Sequence, residues 1–288
     1  MLTKADSAAH EIDWTVLLTR FIFLITLLTI SVLFILPFFW MLMTSLKAPV
    51  ELMKWPPGWF PDTFRWQNYE DAVTYIPFFR YVGNTMAITL GSILGVLISC
   101  PMVAYGFSHI DWPGRDFLFV VMLMTIMIPF PVTMIPLYVL FARIGWINTY
   151  LPLVLPLFFG VPFYIFLLRQ FFMTIPGELT DAARIDGASE PRIYWQLILP
   201  LTKPALATVV LFQFLSSWSD FLGPLLYLRD SDMFTIAVGL QMFHSEHDTE
   251  FHLLMAASTI LTVPIIVIFY LVQRTFIQGI TLTGLQGT

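Results

Sequence analysis

A polar stripe interrupts an apolar segment in the last third of the chain. Its members are spaced i, i+3, i+4, i+7, which places them on one face of a helix: Gln213, Ser216, Ser217 and Asp220. Their amide, hydroxyl and carboxylate groups can exchange hydrogen bonds with a hydroxyl-rich ligand such as a sugar. Polar groups within a membrane-spanning helix usually face protein or a water-filled cavity. The stripe therefore predicts either the path of a polar solute or contacts that join neighbouring helices.

Three aromatic side chains near the stripe, Phe214, Trp218 and Tyr227, could stack against sugar rings. Aromatic residues in such segments are also common as packing residues and as anchors at the membrane interface. The sequence alone leaves both interpretations open.

No set of catalytic groups is evident elsewhere. The chain has no GxxxxGK[ST] phosphate loop, so we expect that it does not bind ATP itself. It has no HExxH or GxSxG pattern, and its five histidines lack metal-ligand spacing. Cys100 is the only cysteine, which excludes an internal disulfide and a cysteine-based metal site. We expect no catalytic residue, metal or cofactor in this chain, and we expect Cys100 to be a small packing residue.

The composition predicts a membrane protein that crosses the bilayer several times. Of the 288 residues, 58% are hydrophobic and only 11% are charged, with a mean hydropathy of +0.79. Soluble domains carry about 25% charged residues. There is no basic patch for nucleic acid. The first apolar run is too long for the hydrophobic part of a signal peptide, so we expect it to be retained as a spanning helix.

Six apolar stretches are long enough to span the hydrocarbon core, and they predict one transmembrane domain over residues 1–288. Their approximate bounds are 21–43, 84–107, 117–141, 150–172, 204–227 and 253–272. Three prolines between residues 129 and 136 predict a kinked third span.

A polar loop over residues 175–203 separates the fourth and fifth spans. Pro176 suits the first turn of a helix, and carboxylates at 178 and 181 suit its positive end. Gly187 is placed to end this helix, and Ser189 to cap a second one that has Pro191 in its first turn. Four residues of the first helix are spaced to share one face: Leu179, Ala182, Ala183 and Asp186. The loop predicts two short helices with a small-residue face that can dock into a partner.

This loop resembles the EAA loop of binding-protein-dependent ABC importer permeases. The resemblance rests on Asp181-Ala182-Ala183, Asp186-Gly187-Ala188, Tyr194 and Leu199-Pro200. Asp181 stands where the family usually has Glu, which keeps the carboxylate but shortens it by one methylene group.

The resemblance covers nearly the whole chain and is nearest to MalG-type permeases of carbohydrate importers. It includes the segment TSLKAP, the pair Asn68-Tyr69, Asn84 and the segment Trp218-Ser219-Asp220-Phe221. At Ser219 the family often has Asn.

The resemblance implies an all-α membrane protein with six transmembrane helices. Its fold would be that of a type I ABC importer permease, with a cytoplasmic EAA coupling helix between helices 4 and 5. It also implies residues that couple the chain to an ATPase: Glu178, Asp181, Ala182, Ala183, Asp186, Gly187 and Ala188. The implied partners are a second homologous permease, two ATPase subunits that bind ATP and magnesium, an extracytoplasmic solute-binding protein and membrane lipid. The substrate would be a carbohydrate, and the location the bacterial cytoplasmic (inner) membrane.

Orientation follows from the basic residues, which favour the cytoplasmic side in short loops. The EAA-like loop and its flanks contain Arg169, Arg184, Arg192 and Lys203. This distribution predicts that both termini are cytoplasmic, as the resemblance also implies.

Three other functions were compared with this one. A stand-alone secondary transporter would need ionisable groups within the spans and internal repeats, and Asp220 is the one acidic candidate there. An intramembrane enzyme would need paired reactive groups at membrane depth. An importer of glycerol phosphate or an osmolyte stays within the same class, but an anionic substrate would favour Lys or Arg within the spans.

Overall fold

The computed structural model describes residues 14–244 and 250–284, with side chains described for 15–244 and 250–273. The described chain is helical, as the composition predicted. In order, the α-helices are α1 (Trp14–Ser45), α2 (Pro49–Leu52), α3 (Gln67–Tyr75), α4 (Phe78–Ser108), α5 (Arg115–Ile126), α6 (Phe130–Arg143), α7 (Leu151–Val154), α8 (Pro162–Phe172), α9 (Gly177–Ile185), α10 (Glu190–Ile193), α11 (Leu199–Leu201), α12 (Lys203–Trp218), α13 (Leu222–Tyr227), α14 (Ile236–Gly239) and α15 (Phe251–Gly284).

Four helical segments of the described chain are long and apolar enough to cross a membrane, or up to six if each of two bent pairs is one span. The bent pair at the predicted third span consists of α5 and α6, which meet at 96°. The kink predicted from the prolines is therefore a full break, because Pro129 precedes α6 and Pro131 lies in its first turn. The outermost spans are longer than predicted, since α1 and α15 extend beyond the apolar runs at 21–43 and 253–272.

The predicted fourth span is irregular in its first half, where a 3₁₀ turn over Leu155–Phe159 separates α7 from α8. Such a turn leaves backbone groups without partners in their own helix. Helix α4 supplies these partners. Ser99 Oγ donates to the Leu157 carbonyl at 2.9 Å, and the Val161 N–H donates to Cys100 Sγ at 3.2 Å. Cys100 is fully buried, as predicted, and it also accepts a hydrogen bond.

Two buried clusters hold the helices together, and α4 and α12 contribute to both. The first cluster joins them to α8 and to the helical turns after residue 190. The second joins them to α3 and α15. Helix α1 packs against α15, while its side chains at positions 15–38 are exposed. An all-round apolar and exposed helix has the surface that lipid requires.

The long loop after α1 is fastened by neutral polar contacts. Asn68 is fully buried, and its amide N–H groups donate to the carbonyls of Ser45 and Lys47, both at 2.8 Å. The Ser45 hydroxyl also bonds to the Tyr69 hydroxyl at 2.8 Å. The Lys47 ammonium lies 4.6 Å from the centre of the Trp40 ring. These contacts return the loop onto the end of α1.

Candidate functional site

The first helix of the 175–203 loop is α9, which begins one residue later than expected. Pro176 is its N-cap residue and lies just outside the first turn, while Glu178 lies within that turn. The Thr180 hydroxyl donates to the Gly177 carbonyl at 2.8 Å, and Thr180 is buried. The carboxylate of Glu178 is near the positive end of α9, as predicted. Asp181 lies beyond the first turn, where it pairs with Arg184 instead.

Helix α9 ends at Ile185, and Gly187 forms the terminating turn just beyond it, as the sequence predicted. Gly187 has a φ of +81°, a left-handed conformation that costs glycine little. Its N–H donates to the Arg184 carbonyl at 3.0 Å, and the Ala188 N–H donates to the Ala183 carbonyl at 2.9 Å. This pair of bonds is the Schellman motif. Within the described chain, no heavy atom lies within 4 Å of a Cβ added at Gly187, so its φ angle is what requires glycine here.

The second helix of the loop is longer than expected. It runs over Glu190–Leu201, contains a π-helical turn at Tyr194–Ile198, and meets Lys203–Trp218 at 76°. Ser189 is the N-cap residue, but its hydroxyl makes no capping hydrogen bond. Ser189 therefore occupies the predicted capping position but does not make the hydrogen bond of a cap.

The expected common face of α9 is only partly correct. Thr180 is buried, and Ala183 packs against the first buried cluster. Ala183 is partly buried, whereas Leu179 and Asp186 are exposed. Successive residues of a helix are rotated by about 100°, so Ala183 lies at the edge of the predicted face, next to the buried Thr180. The exposed face instead consists of Glu178, Leu179, Asp181, Ala182, Ile185 and Asp186.

Ile185 is the residue of this face that the sequence interpretation missed. Its side chain is 87% exposed although it is apolar and lies within a polar loop. Its three-residue spacing from Ala182, and that of Ala182 from Leu179, could have indicated this position.

A polar network ties α9 to the end of α4. Arg184 donates from Nε to Glu190 Oε1 at 2.8 Å, from Nη1 to Asp181 Oδ1 at 2.9 Å, and from Nη2 to the His109 carbonyl at 3.1 Å. The Tyr105 hydroxyl donates to the other carboxylate oxygen of Glu190 at 2.5 Å. The rings of Tyr105 and His109 stack with centres 5.3 Å apart. Sequence reasoning missed this network, since 85 positions separate Tyr105 from Glu190.

The network shifts the pKa values of two of its members that lie outside the predicted spans, Glu190 and His109. The hydrogen bond from Arg184 lowers the pKa of Glu190 below its usual 4.5, against a smaller effect of burial. Burial, helped by the charge of Arg184, lowers the pKa of His109 below its usual 6.5. At neutral pH Glu190 is therefore an anion and His109 is neutral. About 38% of the Arg184 side chain and 39% of the Glu190 side chain are exposed, so this ion pair contributes modestly to stability.

The polar stripe on α12 is shorter than predicted. Gln213 is buried, and its Nε2 donates to Ser217 Oγ at 2.7 Å, so these two side chains bond to one another. Ser216 is exposed. The bond between Gln213 and Ser217 lies within α12, so it neither joins α12 to a neighbouring helix nor leaves these two polar groups unpartnered.

Asp220 does not belong to the stripe. Helix α12 ends at Trp218, and the predicted span at 204–227 resumes only at Leu222, so regular helical spacing fails before Asp220. The Asp220 carboxylate accepts the Gly223 N–H at 3.1 Å. The break precedes Pro224, which has no N–H to continue the helix.

The aromatic residues near the stripe make packing contacts. Trp218 stacks on Phe214 with centres 5.2 Å apart, and its indole N–H donates to the Leu261 carbonyl at 3.2 Å. Tyr227 packs edge-on against Phe141 at 5.4 Å. Among the described residues, no cluster of His, Cys, Asp and Glu could hold a metal ion.

The model of a family described as the inner membrane component of binding-protein-dependent transport systems matches residues 87–282. The chain belongs to this family. The match extends from α4 across α9 and the Gly187 corner and into α15. The geometry above is therefore that of a transport-system membrane component.

Individual relatives agree with this assignment. The chain is 38% identical over 210 residues to the arabinooligosaccharides transport system permease protein AraQ of Halalkalibacterium halodurans, covering 73% of this chain and 75% of the relative. It is 31% identical to the diacetylchitobiose uptake system permease protein NgcG of Streptomyces coelicolor, covering 90% and 85%. It is also 31% identical to the sn-glycerol-3-phosphate transport system permease protein UgpE of Rhizobium meliloti, covering 86% and 90%.

A solved structure shares the fold. It is the crystal structure of a bacterial ABC transporter involved in the import of the acidic polysaccharide alginate. The TM-score is 0.78 with 21% sequence identity, covering 90% of this chain and 96% of the chain in that structure.

Proposed function

We propose that this chain is a permease subunit of an ATP-driven, binding-protein-dependent importer that moves a carbohydrate across the bacterial cytoplasmic membrane. The observation that carries the proposal is the exposed face of α9, where Ile185 stands 87% exposed on a polar loop between two apolar segments. Family membership supports the transport role. The names of the arabinooligosaccharide and diacetylchitobiose relatives support the carbohydrate class.

In this proposal α9 is the coupling helix and docks into a cleft of an ATPase subunit. The docking residues are the exposed members of the set proposed from the sequence together with Ile185, while Ala183 and Ala188 pack against the chain itself. ATP and magnesium are bound by two ATPase subunits, and this chain contributes no catalytic group. We count α5 and α6 together as the third span and begin the fifth span at α12, after the loop, which gives six spans with both termini in the cytoplasm.

The remaining partners are a second homologous permease and an extracytoplasmic solute-binding protein. Closure of the ATPase moves α9, and the cavity between the two permeases changes from inward-facing to outward-facing. This cycle needs two states that the nucleotide and the substrate bind with different affinities.

The network at Arg184 supplies the path by which α9 moves the rest of the chain. Arg184 and Glu190 join the two helices of the loop, and Tyr105 joins them to α4. Thr180 and Ala183 add packing beneath α9. A displacement of α9 is thereby transmitted to the end of α4, while the Gly187 corner fixes the angle between the two loop helices.

Purification of the tagged chain from its native membrane in mild detergent, followed by mass spectrometry, tests the proposal. We expect an ATPase and a second permease to copurify. Ile185→Glu should lose the ATPase but keep the second permease, because it places a charge in the apolar docking contact. The matched control is Val50→Glu, which makes a similar change at a 73% exposed site on the loop after α1 and should keep both partners.

Two results would contradict the proposal at different levels. Recovery of this chain alone as a stable homo-oligomer would favour a stand-alone transporter. Full retention of the ATPase by Ile185→Glu would remove α9 from the docking surface while leaving the importer assignment in place.

A further inference from the structure

A cavity of about 400 Å³ lies beside the C-terminal end of α12. Its walls are the end of α12 and the residues that follow, the segment that contains α14 and the next 3₁₀ turn, and one face of α15. Ligand pockets commonly have volumes of roughly 300–1,000 Å³. The cavity is therefore large enough to hold part of a polar solute.

Several polar side chains that line this cavity make no hydrogen bond to the rest of the described chain. No hydrogen bond to another described residue holds the side chains of Ser219, Gln241 or Ser258, all of which line it. Ser258 lies seven residues after the start of α15, which places it about 10 Å along the helix at a rise of 1.5 Å per residue. Polar groups at such depth face protein or a water-filled space. The cavity is thus suited to a hydrated solute rather than to lipid.

The aromatic residue that the cavity can present to a solute is Phe221, which is half-buried and lines it. Trp218 lies behind this wall, where it is buried, stacks on Phe214 and donates its indole N–H to the Leu261 carbonyl. It therefore supports the wall of the cavity. An aromatic ring beside hydroxyl and amide groups suits a sugar, which has apolar C–H faces and a rim of hydroxyls.

Among the described residues that line the cavity, His244 is the one titratable side chain. None of the described residues that line it is Asp, Glu, Lys or Arg. Asp220 lies between two lining residues, but its carboxylate is engaged by the Gly223 N–H. An ionic ligand held here would lack a partner of opposite charge, and burying an unpaired charge is costly. The chemistry of the cavity therefore fits a neutral ligand.

We propose that this cavity is a subsite for one unit of a neutral saccharide. Ser219, Gln241 and Ser258 hydrogen-bond its hydroxyls, and Phe221 contacts an apolar face of the ring. The proposal rests on the importer function proposed above and narrows its substrate class. Glycerol phosphate and acidic glycans do not fit this subsite.

Uptake into proteoliposomes that contain the complete importer, with its binding protein, tests the substrate class. The neutral probes are arabinotriose, diacetylchitobiose, maltotriose and xylotriose, and the charged probes are sn-glycerol 3-phosphate and an alginate trisaccharide. We expect uptake of at least one neutral probe and of neither charged probe. For that neutral probe, Gln241→Leu should raise KM about fivefold, as expected from the loss of one hydrogen bond.

The matched control is Thr259→Val on the same helix. Thr259 donates its hydroxyl to the Met255 carbonyl at 2.8 Å and does not line the cavity. Its replacement should leave KM unchanged.

Thiol protection gives a second readout that does not depend on transport. A polar maleimide should label the thiol introduced by Ser258→Cys, whereas the native Cys100 is fully buried and should stay unlabelled. Saturating concentrations of the transported neutral probe should slow this labelling, and sn-glycerol 3-phosphate should not.

Each contrary result has a distinct meaning. Wild-type uptake of a neutral probe with an unchanged KM in Gln241→Leu and no protection at position 258 would overturn the subsite but leave the importer function intact. Uptake of a charged probe alone would overturn the neutral substrate class. A complex that takes up none of the probes would refute the carbohydrate-importer proposal itself.

Discussion

Gly187 could be required for either of two reasons: its backbone conformation, or the close approach of a docked partner. Replacing Gly187 with other residues distinguishes these two reasons. At a φ of +81° an alanine costs about 1–2 kcal/mol. Loss of glycine also reduces the entropy of the unfolded chain, which offsets about 0.4–1 kcal/mol of this cost. The net effect of Gly187→Ala is therefore about 1 kcal/mol. No heavy atom of the described chain lies within 4 Å of the added Cβ, so steric repulsion within the chain adds nothing.

The two reasons predict different rankings of coupling among three Gly187 variants. Asparagine tolerates the left-handed region better than alanine does, while a β-branched residue tolerates it least. If the φ angle decides, coupling should fall in the order Gly187→Asn, Gly187→Ala, Gly187→Val. If a partner's backbone packs against this position, size should decide instead, and the larger asparagine should be worse than alanine.

The assay is the ratio of sugar uptake to ATP hydrolysis in the reconstituted importer, together with thermal unfolding of the complex. Gly145→Ala is the matched control. Gly145 has a φ of +74° and no heavy atom of the described chain within 4 Å of an added Cβ, but it lies in the loop between α6 and α7. It should lower stability by a similar amount without changing the ratio. Wild-type coupling in Gly187→Val would contradict any role for this corner.

Four further predictions concern the Arg184 network, the loop after α1 and the packing of α4. Glu190→Gln should lower the uptake-to-hydrolysis ratio while changing stability by less than about 1 kcal/mol. The lowered pKa of Glu190 means that its charged contacts are complete above pH 4.5 and are lost only as pH falls through the lower folded value, so the ratio should show no step from this group between pH 8 and 5. Asn68→Leu should destabilise the protein by about 2–4 kcal/mol in thermal unfolding, because it leaves two backbone carbonyls without donors. Gly95→Val should cost about 1–3 kcal/mol by overpacking, since its Cβ would lie 2.7 Å from the Phe158 ring, whereas Gly83→Ala on the same helix meets no neighbour within 4 Å and should cost little.

Features of the loop that depend on local chemistry were predictable from the sequence. The end of α9 just before Gly187 follows from the left-handed conformation that glycine accepts, and the acidic first turn follows from the helix dipole. The bend at the third span follows from its prolines. The break after Trp218 had a similar local signal in Pro224, but the spacing of the polar stripe was extended across it to Asp220.

Features that depend on distant partners were not predictable. The bond between Tyr105 and Glu190 joins two helices that are far apart in sequence, and no local pattern indicates it. Asn84 was noted only for its resemblance to a family position. In the structure its amide donates to the carbonyls of Asp232 and Phe234 at 2.8 and 2.9 Å, which fastens α4 to the loop before α15. Neither contact can be predicted from a single sequence, because each depends on which groups the fold brings next to one another.

The loop after α1 and the end of α4 are held by different chemistry, and this difference separates stability from coupling. In the loop after α1, Asn68 on α3 is a buried neutral amide, and breaking its bonds costs the full desolvation of the Ser45 and Lys47 carbonyls that it serves. Near the end of α4, Arg184 and Glu190 are more than a third exposed, so their ion pair adds little to stability. Its effect is geometric, since it fixes where α9 sits on α4. A change at Glu190 should therefore alter coupling with little loss of stability, and a change at Asn68 should lower stability in complexes that remain coupled.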